Sequence, residues 1–415
     1  MKQYGCIGRK LTHSFSKEIH AKLADYTYNL IELTEEEIAP FFENRAFAAI
    51  NVTIPYKQTV IPYLDWISPV AQRIGAVNTI VNKEGRLYGY NTDYYGMKTL
   101  LERADIQLSG KKVLILGTGG TSKTARVLAA DLGASRVLTV SRQKTAEFIT
   151  YKEAVRDHSD AQVILNTTPV GMYPNCENRP IDIAFFPRLE GIIDAVYNPL
   201  RTNLILDAQQ QGIKAEGGLY MLVMQAVVAV EHFLETSIPK ETADRVFAEI
   251  FGAKENIVLT GMPGSGKSTV GRLLDMEGFS FVDTDAEVEN RCGCTIKDLI
   301  AAKGETYFRN LETEVVREIS AKSGQIISTG GGAILREENV RYLNRNGKLY
   351  FLDADPERLQ ATDDRPLSDT AEKLKRLYAE RIGIYRSTAH VTVPDLGDAL
   401  EEAQYILTKR KELIL

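Results

Sequence analysis

Gly261-Met-Pro-Gly-Ser-Gly-Lys-Ser-Thr269 fits the phosphate-binding pattern G-x-x-x-x-G-K-[ST] with nothing missing. The apolar run Ile257-Val-Leu-Thr260 before it predicts a buried strand, and Ser268-Thr-Val-Gly-Arg-Leu-Leu274 predicts the helix that leaves it. In that setting successive backbone N–H groups turn onto phosphates, and the helix N-terminus adds partial positive charge. Gly264, Ser265, Gly266 and Thr269 are the expected cradle, with Lys267 reaching the outer phosphates. The Ser268 hydroxyl would complete the oxygen shell of a Mg²⁺ ion. Such a loop normally follows the first strand of its domain, so the residues before Ile257 belong to something else.

Downstream, Phe279-Ser-Phe-Val-Asp-Thr-Asp285 predicts a strand ending in two carboxylates. Asp283 is placed to act on the Mg²⁺ shell, and Asp285 to position or deprotonate an acceptor hydroxyl. Arg309 sits on a helical pattern, Ile326–Gly332 ends a strand in three glycines, Arg365-Pro-Leu-Ser368 follows a polar loop, and Arg381 opens another helical run. Glycines at such a strand end let backbone approach a small ligand closely. Together with the phosphate loop, the segments D-T-D, G-E-x-x-F-R-x-x-E, S-x-G-G-G and R-P-L resemble shikimate kinase over nearly all of residues 257–415. The resemblance implies a parallel sheet with flanking helices of the nucleoside monophosphate kinase type, ATP as donor and shikimate as acceptor. It implies catalytic roles for Lys267, Asp285 and Arg365, carboxylate binding by Arg309 and Arg381, and substrate contact at Gly331 and Gly332. Two positions depart from the family: the lid Gln360-Ala-Thr-Asp-Asp364 lacks an arginine often found near adenine, and Gly383 replaces a proline.

Upstream, Lys112-Val-Leu-Ile-Leu116 predicts a buried strand, followed by Gly117-Thr-Gly-Gly-Thr-Ser122, a helical run Lys123–Leu132 and a second strand Arg136–Val140. With strand before and helix after, Gly117, Gly119 and Gly120 form a dinucleotide fingerprint. An NAD site would end the second strand in Asp or Glu. This chain has Ser141-Arg142-Gln143-Lys144, able to pair with a 2′-phosphate, so NADP is the expected cofactor.

The first 105 residues alternate short apolar strands with helical patterns, an α/β signature. Polar residues recur at its strand ends and turns: Thr12-His13-Ser14-Phe15-Ser16, Asn51-Val-Thr-Ile-Pro-Tyr-Lys57, Gly75-Ala-Val-Asn-Thr79 and Gly89-Tyr-Asn-Thr-Asp93. This segment resembles the substrate-binding domain of shikimate dehydrogenase, departing from it at Lys10, Lys17 and Ala21. The resemblance implies that Ser14 and Ser16 hold the substrate carboxylate, that Thr53 and Asn78 bind substrate, and that Lys57 and Asp93 are catalytic. Val163–Met172, Gly191–Pro199 and Gly217–Gln225 resemble the same family's cofactor domain. There the resemblance places Tyr197 and Gln225 against substrate and Gly218 behind the nicotinamide, with the helix of 217–251 closing the substrate domain. Hydride arriving at a ring ketone leaves negative charge on oxygen, which an adjacent ammonium can stabilise and protonate. Lys57 can supply that proton, and Asp93 can aim it.

The 415 residues, 44% hydrophobic, suffice for two or three domains. The expected division is a substrate domain at 1–105, a Rossmann-like NADP domain at 106–252, a linker at 253–256 and a P-loop kinase domain at 257–415. A net charge of −5 gives no basic footprint for nucleic acid. The most apolar stretch, Leu219–Val230, is shorter than the ~20 residues of a membrane span. Cys6, Cys176, Cys292 and Cys294 are too few and too scattered for a disulfide framework, and no secretory signal layout opens the chain, so cytoplasm is the expected compartment. The whole reads as a fusion that reduces 3-dehydroshikimate with NADPH and then phosphorylates shikimate with ATP. Its alternatives are a catalytically silent half, or a dehydrogenase for a related ring acid such as quinate joined to another small-molecule kinase.

Overall fold

The computed structural model describes residues 3–11, 15–275, 279–359 and 371–414. Two compact units divide the chain, Met1–Ile250 and Phe251–Leu415. Residues 253–256 are not a linker: the helix Lys240–Lys254 takes the first two and the next strand takes Asn256. Ala243, Val246, Phe247 and Ile250 are buried at helical spacing, and the helix runs on past Gly252, since Glu255 N–H still donates to the Phe251 carbonyl at 2.9 Å.

The first unit holds two six-stranded sheets. In one, β1 (Gln3–Gly8), β2 (Tyr28–Glu32), β3 (Phe47–Val52), β4 (Trp66–Ile67), β5 (Thr79–Lys83) and β6 (Arg86–Tyr90) lie in the order β2-β1-β3-β5-β6-β4. β1, β2 and β3 are parallel, whereas β5 is antiparallel to both β3 and β6. A two-residue turn joins β5 to β6, with φ of 52° at Glu84 and 88° at Gly85. Asn78 therefore precedes its strand rather than ending it. Because the hairpin is antiparallel, the start of β5 and the end of β6 share one edge, which brings Asn78 beside Thr92 and Asp93.

The other sheet is parallel throughout: β7 (Lys112–Leu116), β8 (Arg136–Ser141), β9 (Phe148–Thr150), β10 (Val163–Asn166), β11 (Gly191–Asp194) and β12 (Lys214–Gly217), ordered β12-β11-β10-β7-β8-β9. Helices cover both faces of such a sheet, which is why Val113–Leu116 is an unbroken buried apolar run. Strand order reverses between β7 and β10, so the fingerprint loop after β7 opens at the crevice where ligands bind in doubly wound sheets.

The second unit is built on β13 (Asn256–Thr260), β14 (Ser280–Asp283), β15 (Gln325–Ser328), β16 (Gly347–Asp353) and β17 (Val391–Pro394), parallel and ordered β14-β15-β13-β16-β17. Wholly buried β13 is central, and the phosphate loop leaves its C-terminal end. β14 stops at Asp283 instead of running to Asp285. The Asp283 carboxylate accepts from Asp285 N–H at 3.0 Å and Ala286 N–H at 3.3 Å, capping the helix Thr284–Cys292 and placing Asp285 in its first turn. Among the described residues, no helix is long and apolar enough to cross a membrane.

Candidate functional sites

In the first unit, the helices Asp93–Arg103 and Leu219–Leu234 meet backbone to backbone. A Cβ added at Gly96 would come within 2.6 Å of the Met221 carbonyl oxygen and 3.2 Å of the Gln225 nitrogen. That approach brings both Asp93 and Gln225 to the side-chain amide nitrogen of Asn78. Lys57 Nζ donates to Asp93 Oδ2 at 2.5 Å, and Asn78 Nδ2 donates to the other carboxylate oxygen at 2.9 Å. Gln225 Oε1 lies 3.4 Å from the same amide nitrogen, which meets the need for a partner on so apolar a helix. The Lys57 and Asp93 side chains are 15% and 4% exposed, so the pair is largely out of water and its spare acceptor must be satisfied, as Asn78 does. Asn78 is itself fixed: its Oδ1 accepts from Thr92 N–H at 2.7 Å and from the Thr79 hydroxyl at 3.1 Å.

Asn51, noted at its strand end but given no site role from the sequence, joins this network. Its amide donates to Thr79 Oγ1 at 3.1 Å and its oxygen accepts from the Tyr28 hydroxyl at 2.7 Å. The available signal was a lone polar residue near the end of an otherwise apolar strand.

The cofactor loop reaches the same place. A Cβ at Gly120, the first residue of the helix Gly120–Asp131, would lie 3.6 Å from Lys57 Cδ, so the lysine stem rests against the fingerprint. Gly117 has φ of 103°, a conformation glycine takes without strain, and Gly119 faces open space. The loop thus has both the backbone and the room that a pyrophosphate requires. Ser141 ends β8, and Arg142 is exposed. Lys144 is ion-paired to Glu153, and that hydrogen bond, with those of Thr150, holds the Glu153 carboxyl down at about 2. Of the three residues expected on the 2′-phosphate, Lys144 therefore has to exchange partners.

Tyr197 packs its ring 5.3 Å from that of Phe15, and burial raises its phenol. Ser16 opens the helix Ser16–Leu23, and Thr53 follows β3 with its methyl group against Gly8. Ser14 lies outside the described residues. At Gly218 an added Cβ would sit 2.3 Å from the Ala195 carbonyl oxygen, so glycine lets this corner press on the loop that carries Tyr197.

That loop is anchored by Asp194, which is fully buried and accepts from Asn166 Nδ2 at 2.9 Å, Val196 N–H at 3.0 Å and the Thr202 hydroxyl at 2.7 Å. Burial outweighs these donors and pushes its carboxyl up to about 6. A folded-state value above the ordinary one means that the native state holds the proton more tightly, so stability falls as pH rises through that range. Asp194→Asn keeps the acceptor oxygen and removes the ionisation. Between about pH 4.5 and 7 the wild type is expected to lose about 2 kcal/mol of unfolding free energy relative to this variant, measured by urea denaturation.

In the second unit, a cavity of about 910 Å³ brings together Lys267, Ser268, Asp283, Asp285, Arg309 and Arg381. Gly264, Gly266, Thr269, Gly331 and Gly332 also line it, whereas Ser265 stays buried under the loop. Lys267 Nζ donates to the carbonyls of Gly261 at 3.0 Å and Met262 at 2.8 Å. Ser268 Oγ donates to Asp283 Oδ2 at 2.8 Å, so a hydroxyl and a carboxylate stand together as hard oxygen donors, a set that suits Mg²⁺ shared with phosphates. Arg365 lies outside the described residues.

Asp285 is raised to about 7, first by burial and then by the charges of Glu312 and Asp283, against the opposing pull of Lys267 and Arg309. The crowding is made possible by Gly330, where a Cβ would lie 2.4 Å from Asp285 Oδ1 and 2.9 Å from Glu312 Oε1. Glu312, fully buried, accepts from Arg309 at 2.9 and 3.1 Å and so aims the guanidinium across Gly332. Glu312 was absent from the expected site, although its spacing of three from Arg309 on a helix signalled the pair. Arg381 donates to the Gly331 carbonyl at 3.1 Å. Tyr385, also missed, holds its hydroxyl within hydrogen-bond reach of carbonyls of both the phosphate loop and the glycine loop.

Comparison with known proteins follows the same division. A family pattern described as shikimate dehydrogenase substrate binding domain matches residues 6–80, and one described as shikimate kinase matches residues 263–411. Shikimate dehydrogenase (NADP(+)) of Clostridium perfringens strain 13 is 37% identical over 272 residues, spanning 60% of this chain and 98% of its own length. A chorismate mutase/shikimate 5-dehydrogenase fusion protein from Clostridium acetobutylicum is 33% identical, with a TM-score of 0.56 over 60% of this chain and 97% of that one. Shikimate 5-dehydrogenase of Thermus thermophilus, solved in complex with NADP(H) and shikimate, is 28% identical with a TM-score of 0.53 over 60% of this chain and 99% of that one.

Proposed function

This chain belongs to the shikimate dehydrogenase family and carries a shikimate kinase domain behind it, and on that footing we propose that it catalyses two consecutive steps. The first is reduction of 3-dehydroshikimate to shikimate by NADPH, and the second is phosphorylation of the shikimate 3-hydroxyl by ATP. The observation that carries the proposal is the Lys57–Asp93 pair resting against the fingerprint glycine Gly120.

NADPH bound on Gly117, Gly119 and Gly120, with Ser141, Arg142 and Lys144 at its 2′-phosphate and Gly218 behind its nicotinamide, would supply the hydride. Lys57 gives its proton to the carbonyl oxygen as charge develops there, and Asp93 keeps the ammonium aimed. Ser14 and Ser16 hold the carboxylate, while Thr53, Asn78, Tyr197 and Gln225 orient the ring. In the second unit Arg309 and Arg381 take the carboxylate as planar forks, and Gly331 and Gly332 let the ring close on the backbone. Asp285 orients the acceptor hydroxyl and receives its proton, while Lys267 and Arg365 balance charge on the transferring phosphoryl group. Ser268 and Asp283 would hold Mg²⁺, which screens the phosphate charge when bound.

A coupled assay tests the proposal. The purified chain with 3-dehydroshikimate and NADPH should consume NADPH, and MgATP added afterwards should yield ADP. Absence of ADP with shikimate supplied would leave the second unit a binding module.

A further inference from the structure

We propose that Tyr385 is a positioning residue that couples the nucleotide half of the second unit's cavity to its substrate half, by sharing one hydroxyl proton between a carbonyl of each loop. The inference rests on the kinase assignment given above. Tyr385 stands on the helix Ala371–Thr388, is fully buried and stacks nearly parallel on Phe351 at 5.0 Å. Its hydroxyl lies 2.9 Å from the carbonyl oxygen of Gly261, where the phosphate loop begins, and 2.5 Å from that of Gly331, in the triple-glycine loop. A phenol carries one proton, so it serves one of these carbonyls at a time. Burial keeps that proton in place.

Each carbonyl has another donor. Lys267 Nζ is 3.0 Å from the Gly261 oxygen, and Arg381 is 3.1 Å from the Gly331 oxygen. The phosphate-loop lysine and the substrate-facing arginine are thus the two ends of one hydrogen-bonded chain with Tyr385 at its centre. The loops also touch directly, since a Cβ on Gly331 would come within 2.8 Å of Pro263 Cδ.

Phosphates arriving at the loop draw Lys267 off the Gly261 carbonyl. A buried carbonyl stripped of its donor is costly, so the Tyr385 hydroxyl turns to it. The Gly331 carbonyl is then left to Arg381, which fixes the guanidinium in the orientation that receives a carboxylate. Nucleotide binding is in this way felt at Arg381, and by linkage substrate binding must alter nucleotide affinity by the same factor.

The test is a calorimetric titration of the full chain with a non-hydrolysable ATP analogue and Mg²⁺, with and without saturating shikimate. Shikimate also held by the first unit does not enter, because the nucleotide titration reports the second. In the wild type, shikimate is expected to tighten nucleotide binding about 5-fold or more. Tyr385→Phe should bring that ratio to within about twofold of one and weaken nucleotide binding without shikimate by about 5-fold or more, because the Gly261 carbonyl then has no hydroxyl to turn to when Lys267 leaves it. Phe351→Leu loosens the ring's packing but keeps the hydroxyl, and should retain the ratio. An unchanged ratio in Tyr385→Phe, a ratio near one in the wild type, or equal loss in both variants overturns the proposal. Failure of the kinase assignment shows elsewhere, as a wild-type chain that forms no ADP from MgATP and shikimate; if ADP forms and the ratio fails, the relay alone falls.

Discussion

Lys57→Met should lower the turnover of 3-dehydroshikimate by about 10³-fold or more and leave ADP formation from shikimate and MgATP unchanged. Two contributions are lost together: the proton donor, and the positive charge beside the oxygen on which negative charge develops. Asn78 keeps Asp93 in place without the lysine, through its 2.9 Å bond to the carboxylate, so the geometry of the remaining groups survives the substitution. The buried carboxylate does lose its counter-ion, which costs about 3–5 kcal/mol if the group stays ionised. A thermal melt and the KM for NADPH therefore accompany the rate measurement. A folded variant with unaltered KM for NADPH and turnover within tenfold of wild type would remove Lys57 from the chemistry.

Asp285→Asn carries the second large effect, a fall of about 10²–10⁴ in kinase kcat with dehydrogenase turnover unaffected. The pH profile separates a base from a mere contact. In the free protein this carboxyl sits at about 7 and accepts a proton only when ionised, so kcat/KM for shikimate should rise as pH passes from 6 to 8. The direction follows from burial and from Glu312, both of which favour the protonated form. The variant should lose that rise along with the rate. A wild-type profile flat across this interval, or a variant that keeps the rise, would assign the proton to another group.

Much of the architecture was legible because both nucleotide loops are punctuated locally. Lys112–Leu116 and Ile257–Thr260 are apolar runs closed by glycines and followed by helices, and buried parallel strands require nothing further to be recognised. Lys57, Asp93, Asn78 and Gln225 were legible as candidates through the resemblance to a known family, and the structure brings them together. What stayed hidden depends on pairing across distance. The antiparallel course of β5 and β6 is not written in either strand alone, so Asn78 was put at the wrong end of its segment. Glu312 and Tyr385 act through Gly330, Gly331 and Gly261, and a sequence does not say which backbone atoms lie beneath a side chain. The 253–256 junction was taken for a linker because it lies between the last helical pattern of the first half and the strand at Ile257, yet the helix runs on through Gly252 to Lys254.

The β5–β6 hairpin also limits how this protein could have diverged. Thr79 faces Tyr90 at the open end, and Lys83 faces Arg86 beside the turn. Residues inserted in equal number on both strands at the turn lengthen the ribbon away from the chemistry and leave Asn78 against Asp93. A single residue inserted into one strand slides the pairing by about 3.3 Å and reverses the faces of everything beyond it. Descendants of this chain are thus free to lengthen the hairpin in matched numbers at Glu84-Gly85, while Thr79–Lys83 and Arg86–Asp93 each inherit a fixed count.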